Sequence, residues 1–416
     1  MFTLMMIAWR NIWRNSQRSG IVVTSMAVGL WGMLFSSGIM KGFMDQMLDT
    51  LTGGYVGHMQ IHNRTYPARA EGWMLINFII GDPIADEPSV EQALADRNGV
   101  TGWAPRLKTM GFVTSAGKAR GIYLVGIVPE KEATVNSVGR SVISGRYLET
   151  GDRNGILIGK ELAKKLEVDV GSKIVVITQD VNNEKAVNAF TLTGIFQTPN
   201  SGSDLIFVYV NIETLQTMAQ APGQINEIAV HVGRPEKELE TIAADLLTKI
   251  GTNNDLLTWK QIFPALERSL DAITMSIFIA FILIFSAMAF GITNTVLMTV
   301  FERIRELGVM RALGTTPSEI LITVIFECIF LSMIGIAAGT SLGWLTVYFF
   351  GVVGIDLSAF SEFLASSGVG ATIYPKMDER YLVLGPITTF VLATLAALWP
   401  AFKASKIAPV EAMKHL

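Results

Sequence analysis

Cysteine is nearly absent from this chain. Of 416 residues only Cys328 carries a thiol, which excludes an intrachain disulfide and argues against a cysteine-built metal site. Histidine is scarce, at four residues, His58, His62, His231 and His415. Charge is thin as well: 17% of the residues are Asp, Glu, Lys or Arg, against about 25% in a soluble globular protein. A formal net charge of −3 argues against a dedicated nucleic-acid binder. A phosphate-binding loop is also missing. It needs G-x-x-x-x-G-K-[ST], so that backbone amides cradle phosphate and the lysine reaches it. Here Gly159-Lys160 is followed by Glu161, and Gly117-Lys118 by Ala119. No Ser/His/Asp or paired-carboxylate constellation assembles, so an intrinsic hydrolase is not expected.

What the chain has instead is long uncharged runs. Ile21–Met40, Ala272–Phe301 and Cys328–Ile355 hold no charge, and each reaches the roughly 20 apolar residues that a helix needs to cross a bilayer. Ile21–Met40 exceeds the roughly 7–15 apolar residues of a cleaved signal peptide, so an uncleaved anchor is expected. Arg10, Arg14 and Arg18 precede it without an acid. With Trp9 and Trp13 one helical turn apart, residues 1–19 read as an amphipathic helix at the membrane surface, arginines towards headgroups. Basic residues also mark 301–318 (Arg303, Arg305, Arg311) and the tail 403–416 (Lys403, Lys406, Lys414), whereas 351–380 is acid-rich. The positive-inside rule then places both termini in the cytoplasm. The expected order is spans at 20–41, 272–300, 319–350 and 381–402, with a large domain at 42–271 on the opposite side.

Within 42–271 short β-rich runs alternate with helical ones. Strands are expected at Val56–His62, Gly121–Val128, Gly155–Ile158, Lys173–Thr178, Phe190–Phe196, Ile206–Val210 and Glu227–Val232. Helices are expected at 88–96, 160–167, 211–219 and 234–250, giving an α+β domain. Gly42–Leu51 and Thr258–Leu270 read as helical stalks extending the first two spans. Residues 63–118, with Trp73 and Trp103, find no place in this scheme. His58 and His62 are four apart, but on a strand that spacing is about 13 Å, so a metal site is not expected.

The charged island between the second and third spans is the most informative stretch: Glu302-Arg-Ile-Arg-Glu-Leu-Gly-Val-Met-Arg-Ala-Leu-Gly314. Strong helix formers predict a short helix over Glu302–Leu313, with Glu302 and Arg305 placed to pair. Gly314 suits a helix C-terminus. Thr316-Pro317-Ser318-Glu319 then reads as a capping box with proline at the first helical position.

That island resembles the signature of the FtsX/MacB/LolC-LolE superfamily of ABC-transporter permeases. Ala8-Trp-Arg-Asn-Ile-Trp-Arg-Asn15 resembles the family's opening helix and Pro400-Ala-Phe-Lys-Ala-Ser-Lys-Ile-Ala-Pro-Val-Glu-Ala-Met413 its C-terminal pattern. Ser144-Gly-Arg-Tyr-Leu-Glu-Thr-Gly-Asp152, Ile156–Leu166 and Val170-Gly-Ser-Lys-Ile174 resemble the MacB-type periplasmic core domain. Thr193–Asp204 and Tyr209–Leu215 look most like the LolC/LolE branch.

The resemblance implies a membrane protein of four transmembrane α-helices, with a large α+β domain of the MacB periplasmic core type inserted between helices 1 and 2. It implies a bacterial inner-membrane location, a second permease as homo- or heterodimer partner, and a cytoplasmic ATPase subunit that would hold ATP and magnesium. No cofactor is expected on this chain. Docking on the ATPase would fall to Glu302, Arg303, Arg305, Glu306, Leu307, Gly308, Arg311, Ala312, Leu313 and Gly314. The implied cargo is lipoprotein, lipid or another amphiphile, with contacts to membrane lipid and to a periplasmic adaptor or acceptor. An FtsX-like signal transducer acting on a periplasmic cell-wall hydrolase is the alternative; an ATP-independent receptor is a third reading.

Two features inside the spans stay open. Glu327 lies about 15 Å into a helix that starts at Pro317. At that depth an ionisable group is either a functional site or a structural pair. Gly335, Gly339 and Gly343 make a smooth face for close helix approach, serving a dimer contact or packing within the subunit.

Overall fold

The computed structural model describes residues 1–14, 16–65, 82–97, 99–115, 117–233, 238–360, 363–364 and 368–406. The chain divides into a helical unit (1–43, 271–355 and 373–416) and a sheet unit (44–270 and 356–372).

The helical unit begins with α1 (Phe2–Arg14) and α2 (Ser16–Leu51). Later come α10 (Pro264–Glu302), α11 (Ile304–Ala312), α12 (Pro317–Val353) and α13 (Glu379–Ser405), numbered after nine helices that end with those of the sheet unit. Among the described residues four helices (α2, α10, α12 and α13) are long and apolar enough to cross a membrane. The runs read as spans at 20–41, 272–300, 319–350 and 381–402 each lie inside one of these helices. Both stalk segments continue the helices of the spans, as expected: Gly42–Leu51 is the last part of α2, and the second stalk joins α10 from Pro264 onward.

Small residues set the packing. A Cβ at Gly335 would come 2.9 Å from Met26 Cβ, at Gly339 2.8 Å from the Ala27 carbonyl oxygen, and at Gly343 2.8 Å from Leu34 Cδ1. All three glycines are buried, and α2 fills the groove they leave. Within the single chain this face packs on α2. Ala393, Ala397, Ala401 and Ala404 of α13 are fully buried in the same core as Val324, Cys328 and Leu331 of α12.

The sheet unit contains β1 (Met59–Asn63), α3 (Glu87–Ala95), β2 (Val100–Ser115), β3 (Lys118–Ile127), α4 (Pro129–Glu132), β4 (Val142–Gly145) and β5 (Gly155–Gly159). There follow α5 (Lys160–Leu166), β6 (Lys173–Gln179), β7 (Lys185–Phe196), α6 (Ser201–Ile206), β8 (Phe207–Asn211) and α7 (Ile212–Met218). The last are β9 (Glu227–Val232), α8 (Leu239–Leu247), β10 (Asn254–Thr258) and α9 (Trp259–Ile262). The ten strands form one mixed sheet in the order β10-β1-β9-β2-β3-β8-β5-β7-β4, with β6 bridging β2 and β7. Alternating burial along β6, from exposed Lys173 to buried Ile174 and Val176, is the pattern of a half-covered sheet.

Several expectations are corrected here. Residues 100–115, left without a place, form the longest strand. It pairs with β3 from Arg106 to Ser115, with β6 from Gly111 to Thr114 and with β9 from Val100 to Arg106. Trp103 lies on it, whereas Trp73 falls outside the described residues. The strand read from Val56 starts at Met59, because Thr52–Val56 is a single π turn. Thr258 ends a strand instead of starting a stalk, since Asn254–Thr258 pairs with β1. The helix read over 234–250 is Leu239–Leu247, and 234–237 lie outside the described residues.

Candidate coupling site

The island at 302–314 folds into a short helix held at both ends. α10 stops at Glu302. Arg303, at φ −96° and ψ 11°, steps out of the helix, and α11 starts at Ile304. One unbroken helix from Glu302 was expected; the break turns the Arg303 guanidinium onto Glu327 of α12, at 2.9 and 3.2 Å from the two carboxylate oxygens.

At the far end the Thr315 N–H donates to the Met310 carbonyl at 3.0 Å and Gly314 N–H to that of Arg311 at 3.1 Å. This is a Schellman closure. It requires the left-handed backbone that Gly314 supplies at φ 101°. The capping box follows at once: Thr316 N–H donates to Glu319 Oε2 at 2.8 Å, Glu319 N–H to Thr316 Oγ1 at 3.4 Å, and Pro317 opens α12. α11 is therefore joined to α12 by a turn with little slack.

Ion pairs then tie α11 to α1 and the end of α10 to α2. Arg14 pairs with Glu306, and Arg18 with Glu302. The arginines expected to face headgroups thus meet acids of the island, and the Glu302–Arg305 pairing does not form among the described residues. Arg14 and Arg18 are four apart in sequence, as are Glu302 and Glu306, but each couple is divided between two helices, so the match is made by the fold and not by one helix face. Glu306 sits below the usual carboxylate range: partial burial pushes it up, but Arg14 and Arg303 outweigh that. Asn11 of α1 donates to Glu327 at 2.5 Å. Glu327 therefore has two partners on two elements, Asn11 of α1 and Arg303 between α10 and α11. A cavity of about 50 Å³ lies beside it, between Val22, Thr299, Arg303, Glu327 and Leu331.

The rest of α11 divides cleanly. Leu307 and Gly308 are buried towards the helical core. Arg305, Ala312 and Gly314 are exposed, and so are Val309 (46%) and Leu313 (83%). Arg311 turns back to the Thr315 carbonyl at 3.3 Å. The outer face is thus apolar at its end, with exposed Arg305 one turn before Val309, and the short helix that carries it is fixed.

His58 and His62 do not converge. Both ring nitrogens of His62 are engaged, by the Asn226 carbonyl and by Gln60 Oε1, each at 2.9 Å. The His58 ring instead meets that of His231.

Comparison with known proteins is consistent along the chain. Residues 19–248 match the MacB-like periplasmic core domain, and residues 277–409 the FtsX-like permease C-terminal family. The lipoprotein-releasing system transmembrane protein LolC of Neisseria meningitidis serogroup B is 24% identical over 341 residues, 77% of this chain and 79% of that one. LolE of Haemophilus influenzae is 22% identical over 353 residues, 80% of this chain and 84% of that one. Among solved structures, the periplasmic region of MacB from Actinobacillus actinomycetemcomitans is 15% identical, with a TM-score of 0.34 over 52% of this chain and 94% of that one.

Proposed function

The chain belongs to the FtsX-like ABC-transporter permeases that carry a MacB-like periplasmic core domain, and from that premise we propose that it couples ATP hydrolysis by a separate cytoplasmic ATPase to movement of its sheet unit. The observation that carries the reading is α11. It is an exposed helix whose apolar tip, Val309 and Leu313, is open, while its base is tied to α1 and α12 through Arg14, Glu306, Arg303 and Glu327. A push on that tip is passed to the spans instead of being absorbed by a loop.

The termini and α11 then lie in the cytoplasm of a bacterial inner membrane and the sheet unit in the periplasm. A second permease completes the assembly, and ATP with magnesium is held by the partner. The cargo is an amphiphile, with lipoprotein favoured by the likeness to the lipoprotein-releasing LolC over most of the chain. α2 and α10 support coupling to the sheet unit, because each is a single unbroken helix with residues in both units.

The test is co-purification of an ABC ATPase from native membranes, followed by ATP hydrolysis in lipid. Leu313→Asp with Val309→Asp alters only exposed side chains. Loss of the ATPase from the purified complex, at unchanged thermal stability of the permease, is the expected result. Retention of a fully active ATPase by this variant would refute the docking role.

A further inference from the structure

Helix α2 ends inside the sheet unit in an unusual way. Its last turn widens into the π turn Thr52–Val56, closed by the Gly57 N–H on the Thr52 carbonyl at 3.0 Å. Such turns are rare and concentrate at functional sites. A helix end leaves carbonyls without partners, and here the sheet unit supplies them. Ser137 N–H donates to the Gly53 carbonyl at 2.7 Å, and Arg106 Nη1 to that of Tyr55 at 2.7 Å. The Tyr55 ring stacks on Phe207 with centroids 5.0 Å apart, and its hydroxyl lies between Thr198 and Asp204.

Arg106 is itself held on both sides. Glu132 accepts from Nε at 3.0 Å and from Nη2 at 2.5 Å, and Glu227 accepts from Nη1 at 2.8 Å. Lys108 closes the set on Glu227 at 2.6 Å. Arg106, Glu132 and Glu227 are each at most 1% exposed. Taking such charges out of water is costly, and apolar residues of the same volume often stabilise a fold as well or better. Stability is thus a weak account of this network. Its geometry does something apolar residues cannot: a guanidinium fixed by two carboxylates presents its remaining donor to one backbone carbonyl in one direction.

We propose that this junction is a rigid clamp through which the end of α2, from Met44 onward, and the sheet move as one body, with Arg106 and Tyr55 as its positioning residues. The proposal rests on the coupling reading above, which supplies the motion to be carried.

The experiment uses the full chain with its co-purified ATPase in lipid, in a Cys328→Ser background. Nitroxide labels at Asp49→Cys, near the end of α2, and Lys173→Cys, at the start of β6, report on the clamp. A second pair, Lys173→Cys with Leu384→Cys, reports on movement between the units. Distances are read without nucleotide and with ADP-vanadate. The expected result is a second-pair distance that shifts, while the first pair keeps one narrow distance in both states. In Arg106→Met with Glu132→Leu the first pair broadens. A first-pair distance that shifts in the parent, or stays narrow in the variant, overturns the clamp. If the second pair does not respond to nucleotide, the coupling reading fails, and the clamp is still judged by the width of the first pair in the variant. Should the double variant not fold, Tyr55→Phe and Arg106→Lys serve in its place. Each removes one tie, and each broadens the first pair if the clamp is real.

Discussion

The Arg303 guanidinium lies 2.9 Å from Glu327, and each side chain is 13% exposed. Arg303 is the single residue between α10 and α11, and Glu327 lies well inside α12. One ion pair thus joins the bend after the second long helix to the body of the third. Removing one partner leaves an uncompensated, mostly buried charge, which costs about 3–5 kcal/mol, whereas replacing both by apolar groups is often close to neutral. Glu327→Leu should therefore destabilise the protein more than the Arg303→Leu, Glu327→Leu double variant, as measured by thermal melting in detergent. Asn11 limits the recovery, since it loses its acceptor in both. Strictly additive effects would refute the pairing.

Gly339→Val should be destabilising by about 1–3 kcal/mol, the usual range for overpacking. Its first added carbon already falls 2.8 Å from the Ala27 carbonyl oxygen, a backbone atom with no freedom to yield. Because α2 covers this face, the variant should change the melting temperature without changing the number of permease copies per complex. A shift of oligomeric state in light scattering, at unchanged melting temperature, would place the glycine face between copies instead.

Gly314→Ala tests the stiffness of the turn after α11. A side chain in the left-handed region costs roughly 1–2 kcal/mol, and the cost falls on the Schellman closure, not on the core. Amide exchange over 304–315 should speed up while global melting moves little. Unchanged exchange in that segment would mean that the turn does not depend on its glycine.

Much of the helical unit was legible because its signals are local. Uncharged length marks the spans, Thr316-Pro-Ser-Glu319 marks the start of α12, and Gly314 marks the end of α11. The sheet unit was less legible, and β2 shows why. Its sixteen residues include Gly102, Pro105, Arg106, Lys108 and Gly111, which break any apolar alternation. Arg106 is buried because Glu132 and Glu227, which lie elsewhere in the sequence, surround it. The ion pairs of the coupling site were hidden for the same reason. Arg14 and Glu306 are 292 residues apart, and only the fold shows that their matching spacings meet. Glu327 could be given two roles from sequence but no partner, since both partners lie on other elements.

The pH dependence of the sheet unit should separate a buried carboxyl and a half-buried imidazole that act in opposite directions. Asp204 is raised from 3.8 to about 6, chiefly by burial, against the opposing bonds from Thr198 and Tyr55. A carboxyl raised on folding contributes stability that is complete below its unfolded value and is lost as pH rises through about 6. A shift of this size is worth at most about 3 kcal/mol. His58 is lowered from 6.5 to about 4 by burial and by His231, so its contribution is present above 6.5 and is lost as pH falls through about 4. The parent protein alone would show the two slopes partly cancelling between these values. The informative quantity is the difference between variant and parent. Asp204→Asn should gain on the parent as pH rises from 4 to 7, and His58→Gln should gain on it as pH falls over the same interval. Melting curves of the full-length protein at four or five pH values decide it: a pH-independent difference for Asp204→Asn would mean that this carboxyl does not titrate there, whatever the absolute stability of the variant.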